Sequence, residues 1–108
     1  MTDIPERDWR TLKSFEKDML DLAYRRILDK AKQIIADGDK DAHTRYCDLF
    51  RMLRSEDRSI ARKFNDLKRS NTLMQVSLWK ADDLLTDDQL QRFSKETQER
   101  IRRLAEVI

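Results

Sequence analysis

An all-α fold, a compact bundle of about five helices led by one long N-terminal helix, is what this sequence predicts, and three observations predict it. The chain has one Gly and one Pro in 108 residues, which removes most of the punctuation that strands and hairpins need. Ala, Leu, Lys, Arg, Glu and Gln, the good helix formers, are abundant. Apolar residues recur at spacings of three and four and do not alternate.

The first helix is predicted from about residue 5 to 36. Pro5 suits a first turn, where its missing N–H is not needed, and nothing interrupts the helix before Gly38, which can close it in the left-handed conformation. Its apolar residues do not keep one face. Trp9, Leu12, Phe15, Met19, Leu22 and Ala23 share a stripe, whereas Leu20, Tyr24, Ile27, Leu28, Ala31, Ile34 and Ile35 centre roughly 120° further round at ~100° per residue. The two ends must therefore meet different neighbours, either other helices of the fold or a second chain.

The second helix is expected from near Asp41, with Asp39 or Asp41 as its cap and Ala42, Tyr46, Leu49, Phe50 and Leu53 at helical spacing. The same face continues through Ile60, Ala61, Phe64 and Leu67. A continuous rod would place Asp57 on that face, and "SEDR" at 55–58 offers Ser55 as a fresh cap, so a break or kink near Ser55 is expected. "RSNT" at 69–72 competes for backbone hydrogen bonds and separates this helix from the next, over about Thr72 to Asp83. In "LLTDDQLQRF", Thr86 and Gln89 have capping-box spacing and Leu85 with Leu90 can form the staple around it, so a helix begins at Asp87. Ser94 is placed to cap a restart before Ile101, Leu104 and Ile108.

With no Ser/Gly linker, low-complexity tract or internal repeat, residues 1–108 are expected to form a single helical domain. Charged residues make up 41% of the chain and hydrophobic ones 39%, so the core must be small and self-association could relieve its marginal stability. The net charge of +2 does not by itself announce a nucleic-acid or membrane partner. Its distribution is uneven: residues 38–80 hold 10 basic and 6 acidic side chains, residues 81–108 hold 5 and 7. A single Cys47 argues against a disulfide scaffold, and no window approaches the ~20 apolar residues of a membrane span, so a cytoplasmic protein is expected.

"ADGDKDAHTRYCD", residues 36–48, contains the only Gly, His and Cys. Asp37, Asp39, Asp41 and Asp48 stand at positions 1, 3, 5 and 12 of a calcium-loop frame, but Ala42 replaces the required Gly and Asp48 the bidentate Glu. His43 and Cys47 share a helix face and could ligate a metal, yet two ligands are too few. Cysteine catalysis lacks an oxyanion loop and a third orienting group, and one Gly cannot build a phosphate cradle. Helix punctuation is the preferred reading. No catalytic residue, cofactor, metal or small-molecule substrate is identified, and the chain is expected not to be an enzyme.

One constellation favours a function. Arg51, Arg54, Arg58, Arg62 and Arg69 fall within about 80° of one another if helical phase persists, with no acid in that sector. Arginine forks bind carboxylates and phosphates, so this ridge suits an acidic protein surface or a nucleic-acid backbone; the bland alternative is a solvated face. The segment "RSIARKFNDLKRSNTLMQVSLW" faintly resembles a helix-turn-helix, but its turn, Asn65 to Ser70, is too long. The expected function is a non-enzymatic interaction or regulatory module that binds a protein partner, or itself, through helix 1 and the Arg ridge. Trp9, Phe15 and Trp79 are candidate anchors, each equally suited to a core. A small nucleic-acid-binding regulator using residues 51–69 is the alternative.

Overall fold

The computed structural model describes residues 4–68 and 71–108. These form five helices: α1 (Glu6–Ala36), α2 (Ala42–Phe64), α3 (Thr72–Ala81), α4 (Asp87–Leu90) and α5 (Lys95–Val107). Among the described residues there is no strand. The principal packing pairs are α3 with α5 and α1 with α2.

The body is drawn out. Its extents are 51 × 25 × 24 Å, and its radius of gyration is 16.4 Å, against about 13 Å for a compact domain of this length. A head and an arm account for this. In the head, the first stripe of α1 (Leu12, Phe15, Met19, Ala23) is covered by Val76 and Trp79 of α3, by Leu84, Leu85, Leu90 and Phe93 around α4, and by Ile101 of α5. No residue from 28 to 59 belongs to that core. Over this stretch α1 and α2 continue past the head as an antiparallel pair.

Several helix ends form as their residues dictate. Thr86 accepts from the Gln89 amide at 3.1 Å while the Gln89 side chain accepts from the Thr86 amide at 2.9 Å, a complete capping box. Leu85 and Leu90 beside it are both buried. Ser94 caps α5, so α4 is one turn and a restart follows. Asp41, not Asp39, caps α2, accepting from the Thr44 amide at 2.8 Å.

Four boundaries differ from the sequence expectation. Pro5 is the N-cap of α1 and Glu6 its first residue. The helix closes at Asp37 in an extended conformation, and Gly38 does not take a positive φ. There is no break at Ser55, because α2 runs unbroken across it; the face carrying Asp57 is open to water there, so the charge conflicts with nothing. Finally, α3 stops at Ala81, since Asp83 turns the chain with φ 57°.

Two sets of polar contacts lock the head. Asp8 is fully buried and its carboxylate accepts from the Ser94 amide at 2.7 Å, the Ser94 hydroxyl at 2.6 Å and the Thr97 hydroxyl at 2.6 Å, joining the two ends of the chain. At the junction with the arm, the Trp79 indole donates to the Lys63 carbonyl at 2.9 Å, and Arg26 donates to the carbonyls of Asp82 and Asp83 at 2.9 and 2.8 Å. Lys63, itself buried, pairs with the Asp82 carboxylate.

Candidate interaction surface

The arm covers only part of the second stripe of α1. Ile27 is buried and Ala31 and Ile34 half-buried, but Leu28 and Ile35 stay 66% and 56% exposed. On α2, Leu49 is half-buried while Tyr46 and Phe50 are 68% and 53% exposed. Tyr24 and Leu53 are exposed beside them. Large apolar side chains left in water at helical spacing, and contiguous, mark a site that something else covers.

Helix phase places both rows on one side of the arm. On α1 the exposed row lies roughly a quarter turn beyond Ile27 and Ile34, at ~100° per residue; on α2 it lies roughly a quarter turn beyond Leu49, Glu56 and Ile60. Both turns follow the chain direction. Viewed down a common axis, one is clockwise and the other anticlockwise because the helices are antiparallel, so the rows emerge together. They line a trough whose floor is Ala31 and Leu49.

The opposite side of the arm is polar, which confirms the assignment of faces. There Lys30 bonds Glu56 at 2.9 Å and Lys40 bonds Asp48 at 3.2 Å. These pairs border a cleft of about 320 Å³ near the tip and another of about 420 Å³ at the head, the latter lined also by Arg26, Arg62 and Lys63.

Because α2 is continuous, Arg51, Arg54, Arg58 and Arg62 do form one exposed row along its outer edge. Arg51 lies 3.7 Å from Asp48, and the Arg54 guanidinium sits 5.6 Å from the centroid of the Phe50 ring, where its stem shields the end of the apolar row. Arg58 and Arg62 make no ion pair among the described residues. Arg62 leans towards the larger polar cleft and Arg51 towards Asp48 on the same polar side, so Arg54, against Phe50, is the member nearest the trough. Arg69 lies outside the described residues. On the other rim, Lys17, Arg25 and Lys32 are exposed along α1. Exposed acids lie among them: Asp18, Asp21, held by Arg25 at 2.9 Å, and Asp29 on α1, and Asp57 within the apolar row of α2.

The aromatic anchors expected from sequence lie elsewhere. Phe15 is a core residue, edge-on to Phe93 with centroids 6.1 Å apart, and Arg92 covers its outer side at 5.5 Å. Trp79 is fully buried and stacks on Phe64 at 5.3 Å. Trp9 is half-buried against the same core, with the Lys13 ammonium 5.6 Å from its ring. The residues that line the trough were visible as the second stripe of α1 and the apolar spacing of α2, but periodicity does not say which stripe is covered.

The loop chemistry weighed from sequence is spent locally. Asp37 accepts from the Asp39 amide at 3.2 Å, Asp41 caps α2, and Asp48 bonds Lys40 and Arg51. The Thr44 hydroxyl, then the Thr44 amide, hold the Asp41 carboxyl below its ordinary pKa of 3.8. His43 Nε2 and Cys47 Sγ are 3.5 Å apart at the arm tip. Among the described residues, no three His, Cys, Asp or Glu side chains gather as a metal site, and no helix is long and apolar enough to cross a membrane. The sequence matches no protein-family model, and neither curated proteins nor solved structures give a significant match.

Proposed function

We propose that this chain is a non-enzymatic docking module, in which the head anchors a two-helix arm and the arm presents its apolar trough to a protein partner. The observation that carries the reading is the solvent exposure of Tyr24, Leu28 and Ile35 beside Tyr46, Phe50 and Leu53 on one side of the arm. An isolated helical hairpin buries little, and its helices owe most of their stability to tertiary packing. An occupant of the trough would supply what the arm lacks. Of the Arg row, Arg54 sits against Phe50 at the edge of that face.

A nucleic-acid role has one supporting observation, a continuous row on α2 in which Arg58 and Arg62 make no ion pair among the described residues. Phosphate contacts would use that row but would leave the apolar trough in water, so protein docking accounts for more of the surface.

Photo-crosslinking tests the docking role. A benzophenone side chain placed at Leu28 or Phe50 is expected to give a discrete adduct in cells, and the same group at Arg103 on the head is expected to give none. Adducts from the head alone, or none from the arm, would overturn the reading.

A further inference from the structure

We infer that the larger polar cleft, at the junction of arm and head, binds a phosphate dianion, either free or as the terminal group of a small molecule. The cleft has a volume of about 420 Å³, within the range of roughly 300–1,000 Å³ that small-molecule sites occupy, so it has room for a phosphate and a small group attached to it. Ala23, Ile60 and Leu84 supply its apolar surface. Its charged side chains come from three segments held together at the junction: α1, α2 and the turn after α3.

Charge selects the ligand. The cations Arg26, Lys30, Arg62 and Lys63 line the cleft against two acids, Glu56 and Asp82. Both acids are committed, since Glu56 bonds Lys30 at 2.9 Å and Asp82 pairs with the buried Lys63. Asp29, Asp57 and Asp83, sequence neighbours of lining residues, are exposed and do not line the cleft. Arg26 and Arg62 are therefore left without a carboxylate.

The two guanidinium groups are placed differently. Arg26 donates to the carbonyls of Asp82 and Asp83 at 2.9 and 2.8 Å, which fixes its position without supplying a counter-ion. The carbonyl end of α3 offsets roughly half a charge at most, and the guanidinium keeps N–H groups beyond the two it has used. The Arg62 side chain has no partner among the described residues, and neither has the hydroxyl of Ser59, which also lines the cleft. More than one unit of positive charge thus goes unmatched beside a spare hydroxyl donor. A carboxylate brings one negative charge and two oxygens, whereas a phosphate monoester brings close to two charges and three acceptor oxygens, enough for both arginines and Ser59. Bridging Arg26, tied to the turn after α3, and Arg62 on α2, the ligand would clamp the base of the arm to the head. The cleft lies on the polar side of the arm, so this site is independent of the docking role.

Titration of the full chain with methyl phosphate and methyl sulfate, followed by NMR at constant ionic strength and about pH 8, tests the site. The two esters share a shape, but at that pH the first is a dianion and the second a monoanion. Methyl phosphate is expected to shift the Arg26 and Arg62 Nε resonances and to bind about tenfold more tightly than methyl sulfate. Inorganic phosphate is expected to move the same resonances, and the tighter binder of the two phosphates identifies the source as the free ion or an ester. Arg62→Ala removes an exposed side chain that holds nothing in the fold, and is expected to weaken methyl phosphate about tenfold. Ser59→Ala is expected to weaken it in the same direction. Arg58→Ala, the neighbour in the row that does not line the cleft, is expected to leave the affinity unchanged. Equal affinity for the two esters, or no saturable shift at Arg26 and Arg62, overturns the inference. So does an equal loss from Arg58→Ala, which would mark diffuse attraction along the whole row, as a nucleic-acid backbone would use it. Crosslinks from the arm are untouched by any of these results, so the two proposals fail separately.

Discussion

Asp8 and Thr97, 89 positions apart, meet in a fully buried hydrogen bond of 2.6 Å. The same carboxylate takes the amide and hydroxyl of Ser94, so an acid in the first turn of α1 holds the N-terminus of α5 through hydroxyl and amide donors. The first and last helices are thereby fixed to each other, and the head that supports the arm depends on it.

Removing that acceptor should be costly. Asp8→Ala takes the acceptor from the buried Thr97 hydroxyl and from the half-buried amide and hydroxyl of Ser94, and at ~1–3 kcal/mol for each unsatisfied group, partly relieved by water and by the Ser94–Thr97 hydroxyl contact, a loss of about 3 kcal/mol is expected. Denaturant unfolding measures it as a lower midpoint at unchanged slope. Thr97→Val, which removes one donor and leaves the carboxylate two, is expected to cost about 1 kcal/mol.

Gly38 is the reverse case. Its φ is not positive and an added Cβ would have nothing within 4 Å. Gly38→Ala is therefore expected to stabilise the chain by roughly 0.4–1 kcal/mol, by narrowing the unfolded ensemble. A loss of stability would mean that the loop needs glycine after all. Thermal melting distinguishes the two signs.

Continuity of α2 can be tested at Glu56, in its second half. If Ser55 capped a new helix, residue 56 would be a first-turn position that accepts proline readily. Within an unbroken helix, Glu56→Pro removes a backbone bond and should cost about 3 kcal/mol. Glu56→Ala serves as the control for the Lys30 pair, whose exposed partners make its loss a minor one.

The Asp41 cap gives the arm tip a pH dependence. Its folded pKa is depressed from the ordinary 3.8 by Thr44, the hydroxyl first and the amide second. A depressed carboxylate stabilises the folded form above the ordinary value, and that contribution fades as pH falls through the lower, folded value. The Asp41 carboxyl is expected to titrate below 3.8 by NMR, with the first turn of α2 loosening over the same range. Replacement of Thr44 by Val should move the midpoint back up.

How far the sequence carried this picture depended on whether a feature is local. The cap at Thr86 and Gln89, the restart at Ser94 and the length of α1 are set within a few residues, and each could be read directly. The break at Ser55 could not, because it assumed that the whole apolar face of α2 is buried; on the arm that face meets water, and Asp57 is at ease there. The two stripes of α1 were legible, yet their fates were not. Phe15, a candidate for anchor or core alike, lies under α3 to α5, while Leu28, on the stripe left to either another helix or a second chain, lies in water. Periodicity reports which residues share a face, and only the path of the rest of the chain determines which face is covered. The Arg row shows the same split: its spacing was clear, but its alignment required the unbroken helix.

The most direct measurement combines a double charge insertion in the trough with the crosslinker. In Leu28→Glu, Phe50→Glu, two exposed apolar groups become charged without touching the head core, so the melting temperature is expected to stay within a few degrees of the parent. The adduct formed by a benzophenone group at Tyr46 is expected to disappear. An adduct that survives both charges, or a double variant that no longer folds, would contradict the assignment of this face to a partner.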